Sequence, residues 1–198
     1  MSARTRIIAL FAAFACGALI LVVAATALLP SAKSPSVSGT ANVGGPFSLV
    51  DQNGAPVTEA ALKGKPTLIF FGFTHCPDIC PTALFEMSEI FQALGPDAGK
   101  VQAFFVSVDP ERDTPEALKA YLSSFSPQLR ALTGTPEQID AIKRAYRVYS
   151  RKVPLSGGDY TMDHTAVVYL MDKNGTFLAP FNAKRPPAEA AADLKRLL

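Results

Sequence analysis

The stretch Thr67–Phe73, Thr-Leu-Ile-Phe-Phe-Gly-Phe, constrains this chain more than any other segment. It is a continuous apolar run with β-branched and aromatic members, too short for a helix of its own, and it predicts a strand buried on both faces. Val101–Val108 predicts a second one. Between them Pro81 marks a helix start, and Leu84, Met87, Phe91 and Leu94 recur at helical spacing up to a stop at Gly95. Asp113 and Thr114 ahead of Pro115 and Glu116 give cap and first-turn signals for another helix, with Leu118, Tyr121, Leu122 and Phe125 on one face. Thr135, Pro136 and Glu137 repeat the device ahead of Ile139, Ile142 and Tyr146. A small hairpin is expected at the entrance (Phe47–Val50, Val57–Thr58), and a long connection from Ser150 to Asp163. A second hairpin follows, Thr165–Met171 and Thr176–Ala179, turned at Asn174 and Gly175, and a closing helix begins at Pro187. Strands alternating with helices, then a hairpin and a last helix, imply an α/β sandwich around a mixed sheet.

A different kind of apolar segment precedes this domain. From Ile7 to Leu29 no residue is charged, and at a helical rise of 1.5 Å the run would extend roughly 34 Å, enough to cross a bilayer core. Arg4 and Arg6 before it, with only Lys33 close behind, orient the N-terminus to the cytoplasm by the positive-inside rule. Ala25-Thr26-Ala27 offers a cleaved secretory signal as the competing reading, but the length of the run and its continuation through Leu28 and Leu29 favour an uncleaved anchor. Cys16 lies inside it as a small apolar-facing residue. The expected organisation is a short cytoplasmic N-terminus (1–6), a transmembrane anchor (7–29), a Ser/Pro/Gly-rich flexible tether (30–43) and a globular domain (44–198). The near balance of 19 basic against 17 acidic side chains argues against nucleic acid as a partner.

With Cys16 in the membrane, one cysteine pair remains. Cys76 leaves the first buried strand and Cys80 enters the helix, so both thiols lie in a strand-to-helix loop facing a helix N-terminus, whose field should lower the pKa of at least one of them. Two thiolates on one loop can close a disulfide or share a metal ion. Three residues separate them where a thioredoxin-type redox motif has two. A purely stabilising disulfide is disfavoured, because closing so small a loop removes little unfolded-chain entropy. Soft thiolates select Cu(I) or Zn(II), and an imidazole suits either. The chain has two histidines. His164, just ahead of the last strand pair, is the expected ligand, whereas His75 sits at a strand end next to Cys76, where neighbours point to opposite faces. Met162, two residues before His164, is expected to pack, although a thioether is a fair Cu(I) ligand. Asp78 and Asp163 are candidates for outer-shell tuning. The basic cluster Lys143, Arg144, Arg147, Arg151 and Lys152 reads as a solvated face.

The runs Cys76-Pro77-Asp78-Ile79-Cys80-Pro81, Val108-Asp109-Pro110-Glu111-Arg112-Asp113-Thr114-Pro115 and Asp163-His164-Thr165 together resemble the Sco/SenC family of membrane-tethered, thioredoxin-fold copper chaperones for cytochrome c oxidase assembly. The resemblance covers the chain from about Gly44 to its end. It implies a thioredoxin-like α/β fold with a central mixed sheet flanked by helices, preceded by one transmembrane helix. It further implies one copper ion, Cu(I) or Cu(II), held by Cys76, Cys80 and His164, and a metallochaperone rather than an enzyme. The implied acceptor is the CuA centre of cytochrome c oxidase subunit II, with copper donors or thiol reductants upstream. In the oxidised form a Cys76–Cys80 disulfide would block loading. Family members commonly have serine where this chain has Thr165. The competing function is a thiol-disulfide reductase keeping the CuA cysteines reduced; against it, no proline immediately precedes the strand after His164. A peroxidase reading would leave His164 without a role. Only six residues precede the apolar run, which favours a bacterial inner membrane with a periplasmic domain over the mitochondrial inner membrane.

Overall fold

The computed structural model describes residues 43–198. The expected anchor with Cys16, the segment before it and all but the last residue of the tether lie outside the described residues. Among the described residues no helix is long and apolar enough to cross a membrane.

The entrance hairpin forms from β1 (Ser48–Asp51) and β2 (Pro56–Thr58). Its turn is closed by the Asp51 carboxylate, which accepts the Asn53 and Ala55 amides at 2.9 and 3.0 Å. Every residue of β3 (Thr67–Gly72) is buried, as the unbroken apolar run requires; full burial of each of Leu68, Ile69, Phe70 and Phe71 is worth about 1.5–3 kcal/mol. β4 (Gln102–Ser107) runs parallel to it in register from Thr67↔Gln102 to Gly72↔Ser107. A parallel pair needs a crossover, and α1 (Ile79–Leu94) supplies most of it, burying Cys80, Ala83, Leu84, Met87, Ile90, Phe91 and Leu94. Gly95, at φ +59°, ends the helix. The helix begins two residues before Pro81. A proline is tolerated there because first-turn amides have no intrahelical acceptor, and the early start brings Cys80 into the first turn.

α2 (Pro115–Leu122) is capped by the Thr114 hydroxyl, which accepts the Ala117 amide at 3.2 Å. α3 (Pro136–Ala145) starts with a reciprocal capping box between Thr135 and Gln138. Between these helices lies β5 (Leu129–Thr133), which the sequence did not announce because Arg130 interrupts its apolar pattern; that guanidinium reaches Asp51 at 3.1 Å. The Ser150–Asp163 segment, expected to be an irregular connection, is instead a two-stranded hairpin, β6 (Ser150–Pro154) with β7 (Tyr160–His164). β8 (Val168–Met171), β9 (Phe177–Phe181) and α4 (Pro187–Lys195), which packs on α1, complete the domain.

The main sheet runs β2-β1-β5-β4-β3-β8-β9. β5, β4 and β3 are mutually parallel, and their immediate neighbours β1 and β8 are antiparallel to them. This is the expected mixed sheet. The carboxyl ends of β3 and β4 open at one edge, where functional loops of α/β sheets gather.

Candidate metal centre

The Cys76 amide donates to the Phe73 carbonyl at 3.2 Å as the chain leaves β3 and turns into α1. At the N-cap of that helix Asp78 makes no side-chain capping bond. Cys76 takes over the capping: the amide of Cys80 donates to Cys76 Sγ at 3.4 Å. A helix N-terminus thus points an N–H at one sulfur.

Cys80 is fully buried. Its thiol moves opposite to the dipole-based expectation: desolvation pushes its pKa up, outweighing the bond from the Phe73 backbone, with Cys76 and Asp113 adding to the rise. Across Sγ of Cys80, at 3.5 Å, lies Nε2 of His164. The other ring nitrogen, Nδ1, is 3.1 Å from the Thr165 carbonyl. A carbonyl only accepts, so Nδ1 carries the proton and the Nε2 lone pair faces the sulfur. Phe70 and Phe73 stand edge-on to the imidazole, with centroids 6.2 and 5.7 Å away. The ligating atoms of Cys76, Cys80 and His164 all lie within 4.8 Å of one another, close enough to hold one metal ion, and both thiols are free.

The remaining candidates separate. Met162 is half-buried and lines a cavity of about 260 Å³ shared with Cys76 and His164. Asp78 and Asp163 also border that cavity, both exposed; Asp163 lies 3.9 Å from Arg151. His75 is exposed and engages the Thr74 hydroxyl at 3.0 Å, apart from the cluster. Of the basic residues, Lys143 pairs with Asp140 and Lys152 with Glu111.

Two groups of residues that support the site carried no metal signal in the sequence. Asp113, read there as a helix cap, turns inward and is fully buried. It accepts the Ser107 hydroxyl at 2.6 Å, the Thr74 hydroxyl at 2.6 Å and the Thr74 amide at 3.2 Å, tying the start of the cysteine loop to the end of β4. Burial lifts its carboxyl above the ordinary range against the pull of these bonds. Arg112 clamps the hairpin that carries His164. It donates to Asp109 Oδ2 at 2.5 Å and to the Tyr160 carbonyl at 2.9 Å, and its guanidinium lies 3.7 Å from the centre of the Tyr160 ring. The Tyr160 hydroxyl in turn donates to Asp109 at 2.8 Å.

Asp113→Ala should lower the stability of the domain by about 3 kcal/mol, because a buried hydroxyl and the Thr74 donors lose their acceptor. Asp113→Asn, which retains an acceptor oxygen, should lose less. Urea unfolding of the metal-free protein measures both, and an unchanged midpoint for Asp113→Ala would refute the tie.

Fold and donor set define a class: thioredoxin-like α/β domains with a compact Cys-Cys-His cluster suited to one soft metal ion. Within it the chain belongs to the SCO1/SenC family, whose family model matches residues 35–198. It is similar to the Bradyrhizobium japonicum ScoI structure with copper bound, with 65% identity, a TM-score of 0.77, and coverage of 79% of this chain and 99% of that one. BsSco, a member of the Sco family of cytochrome c oxidase assembly proteins with an identified disulfide switch, is 27% identical, with a TM-score of 0.61 and coverage of 78% and 92%. The mitochondrial SCO1 homologue of Mus musculus is 45% identical over 155 residues, covering 77% of this chain and 55% of its own. The chain spans about half the length of the first mitochondrial relatives it matches.

Proposed function

We propose that this chain is a membrane-tethered copper chaperone that takes one copper ion, Cu(I) or Cu(II), on Cys76, Cys80 and His164 and delivers it to the CuA centre of cytochrome c oxidase subunit II. The convergence of two thiols and a tautomer-fixed imidazole within 4.8 Å carries the reading. Two soft sulfurs and a borderline nitrogen fit copper, and the copper-bound ScoI structure at 65% identity supports it. Two thiolates and one imidazole as the strong donors leave a coordination position that only a weaker, displaceable group would fill, through which an acceptor's ligand can enter. The exposed carboxylates of Asp78 and Asp163 flank the cavity and bias it toward cations.

In this reading residues 7–29 anchor the chain in a bacterial inner membrane, 30–43 tether the domain and 44–198 work in the periplasm. Anchoring raises the effective concentration toward a membrane-bound acceptor. A Cys76–Cys80 disulfide would block loading, and the disulfide switch of BsSco supports that gate.

The test mixes the copper-loaded chain with the metal-free, reduced CuA domain of subunit II. Copper should move to the acceptor in step with its loss from the donor. Retention of copper, together with catalytic reduction of a CuA-site disulfide that survives His164→Ala, would replace the chaperone by a reductase.

A further inference from the structure

Met162 stands two residues before His164 in β7. Alternate residues of a strand share a face, with Cα atoms about 6.6 Å apart, so Met162 and His164 occupy the same face of β7. Met162 also borders the same cavity as Cys76 and His164, together with Phe73, Pro77 and Ile79. Asp78, Thr161 and Asp163 complete the lining with hard oxygen donors, and beside Cys76 the one sulfur among the lining residues is that of Met162.

We propose that Met162 is a further ligand of the metal centre, its thioether entering beside Cys76 and His164 when Cu(I) is bound; the inference rests on the copper reading above. The carboxylates nearby are poor rivals. Asp163 is turned out toward Arg151, and the Asp78 carboxylate accepts the Thr82 hydroxyl at 3.4 Å; both are hard donors, whereas Cu(I) prefers sulfur. A methionine side chain has three rotatable bonds and adapts to an irregular gap, so it can meet a metal poised between the two cysteines and Nε2. Being neutral, the thioether adds no charge and has no proton to lose. It is also a weaker ligand than a thiolate, which suits a donor that must give way to an acceptor's ligand. Met162 also packs against the core, and leucine keeps that packing while removing the sulfur.

Selenomethionine gives a direct probe. The chain has four methionines, of which Met87 and Met171 are fully buried. X-ray absorption at the copper edge, on the full selenomethionine-labelled chain loaded with Cu(I), should show selenium at bonding distance from copper. That signal should vanish in Met162→Leu, with Cu(I) affinity about tenfold weaker and Cu(II) affinity changed by less than about threefold. Bound copper without a selenium neighbour would overturn the proposal. So would a selenium neighbour that persists in Met162→Leu. A chain that takes up no copper at all would be a different result, removing the copper reading and this inference with it.

Discussion

Cys80→Ser is expected to abolish tight copper binding, weakening it on the order of a thousandfold, about 4 kcal/mol, while the fold survives. The sulfur of Cys80 is fully buried and sits 3.5 Å from His164 Nε2, so its loss removes the donor that joins the cysteine loop to the imidazole. A serine hydroxyl fits the space but is hard, and it keeps its proton at neutral pH. Copper stoichiometry against a competing Cu(I) chelator, with circular dichroism as a check on folding, measures the effect. Cys76→Ser should behave alike. Tight, near-stoichiometric copper in His164→Ala would sink the three-donor assignment. Because burial holds the Cys80 thiol protonated through neutrality, copper must displace that proton, and apparent affinity should rise with pH by about tenfold per unit for this group alone.

Gly72→Ala should damage both stability and copper binding, although it adds one methyl group outside the ligand set. A Cβ at Gly72 would lie 2.6 Å from Phe105 Cε2 and 2.8 Å from Cys80 Sγ. Both neighbours are fully buried. Overpacking of this kind costs about 1–3 kcal/mol, and its relief displaces the Phe105 ring and the Cys80 sulfur. The expected result is a lower denaturation midpoint and weaker copper binding in one variant. Gly99→Ala, where a Cβ meets nothing within 4 Å, is the control and should stay within about 0.5 kcal/mol of wild type. A Gly72→Ala chain with unchanged copper affinity would show that the thiol does not need this space.

What was legible in the sequence follows from how each part earns its stability. β3 and β4 are buried on both faces, so apolar composition alone declares them. The convergent Cys-Cys-His cluster was legible through scarcity: two cysteines beyond the apolar run and two histidines leave few combinations. β5 was hidden because Arg130 finds its partner on another strand, a contact that no local pattern records. The β6–β7 hairpin was hidden for a stronger reason. Its strands are largely exposed or half-buried and carry no core-facing alternation; they are held by Arg112 and Asp109, far away in sequence. Asp113 looked like a cap because its neighbour Thr114 is one. Gly72 did leave a signal, since an isolated glycine inside a strand often marks a close approach by another group.

Among the described residues the hairpin carrying His164 pairs with no strand of the main sheet, and its two roots are bound to each other: the Tyr149 amide donates to the Thr165 hydroxyl and the Thr165 amide to the Tyr149 carbonyl, both at 3.0 Å. The two cysteines belong to the loop and helix that follow β3, and the imidazole to a separate hairpin tied on by Arg112. An ion held by all three side chains would clasp the hairpin to the cysteine loop, and opening that clasp would break no ladder bond of the seven-stranded sheet. Under the proposed function, handing on the ion would then need only the hairpin to move, with the framework that holds the sulfurs left intact.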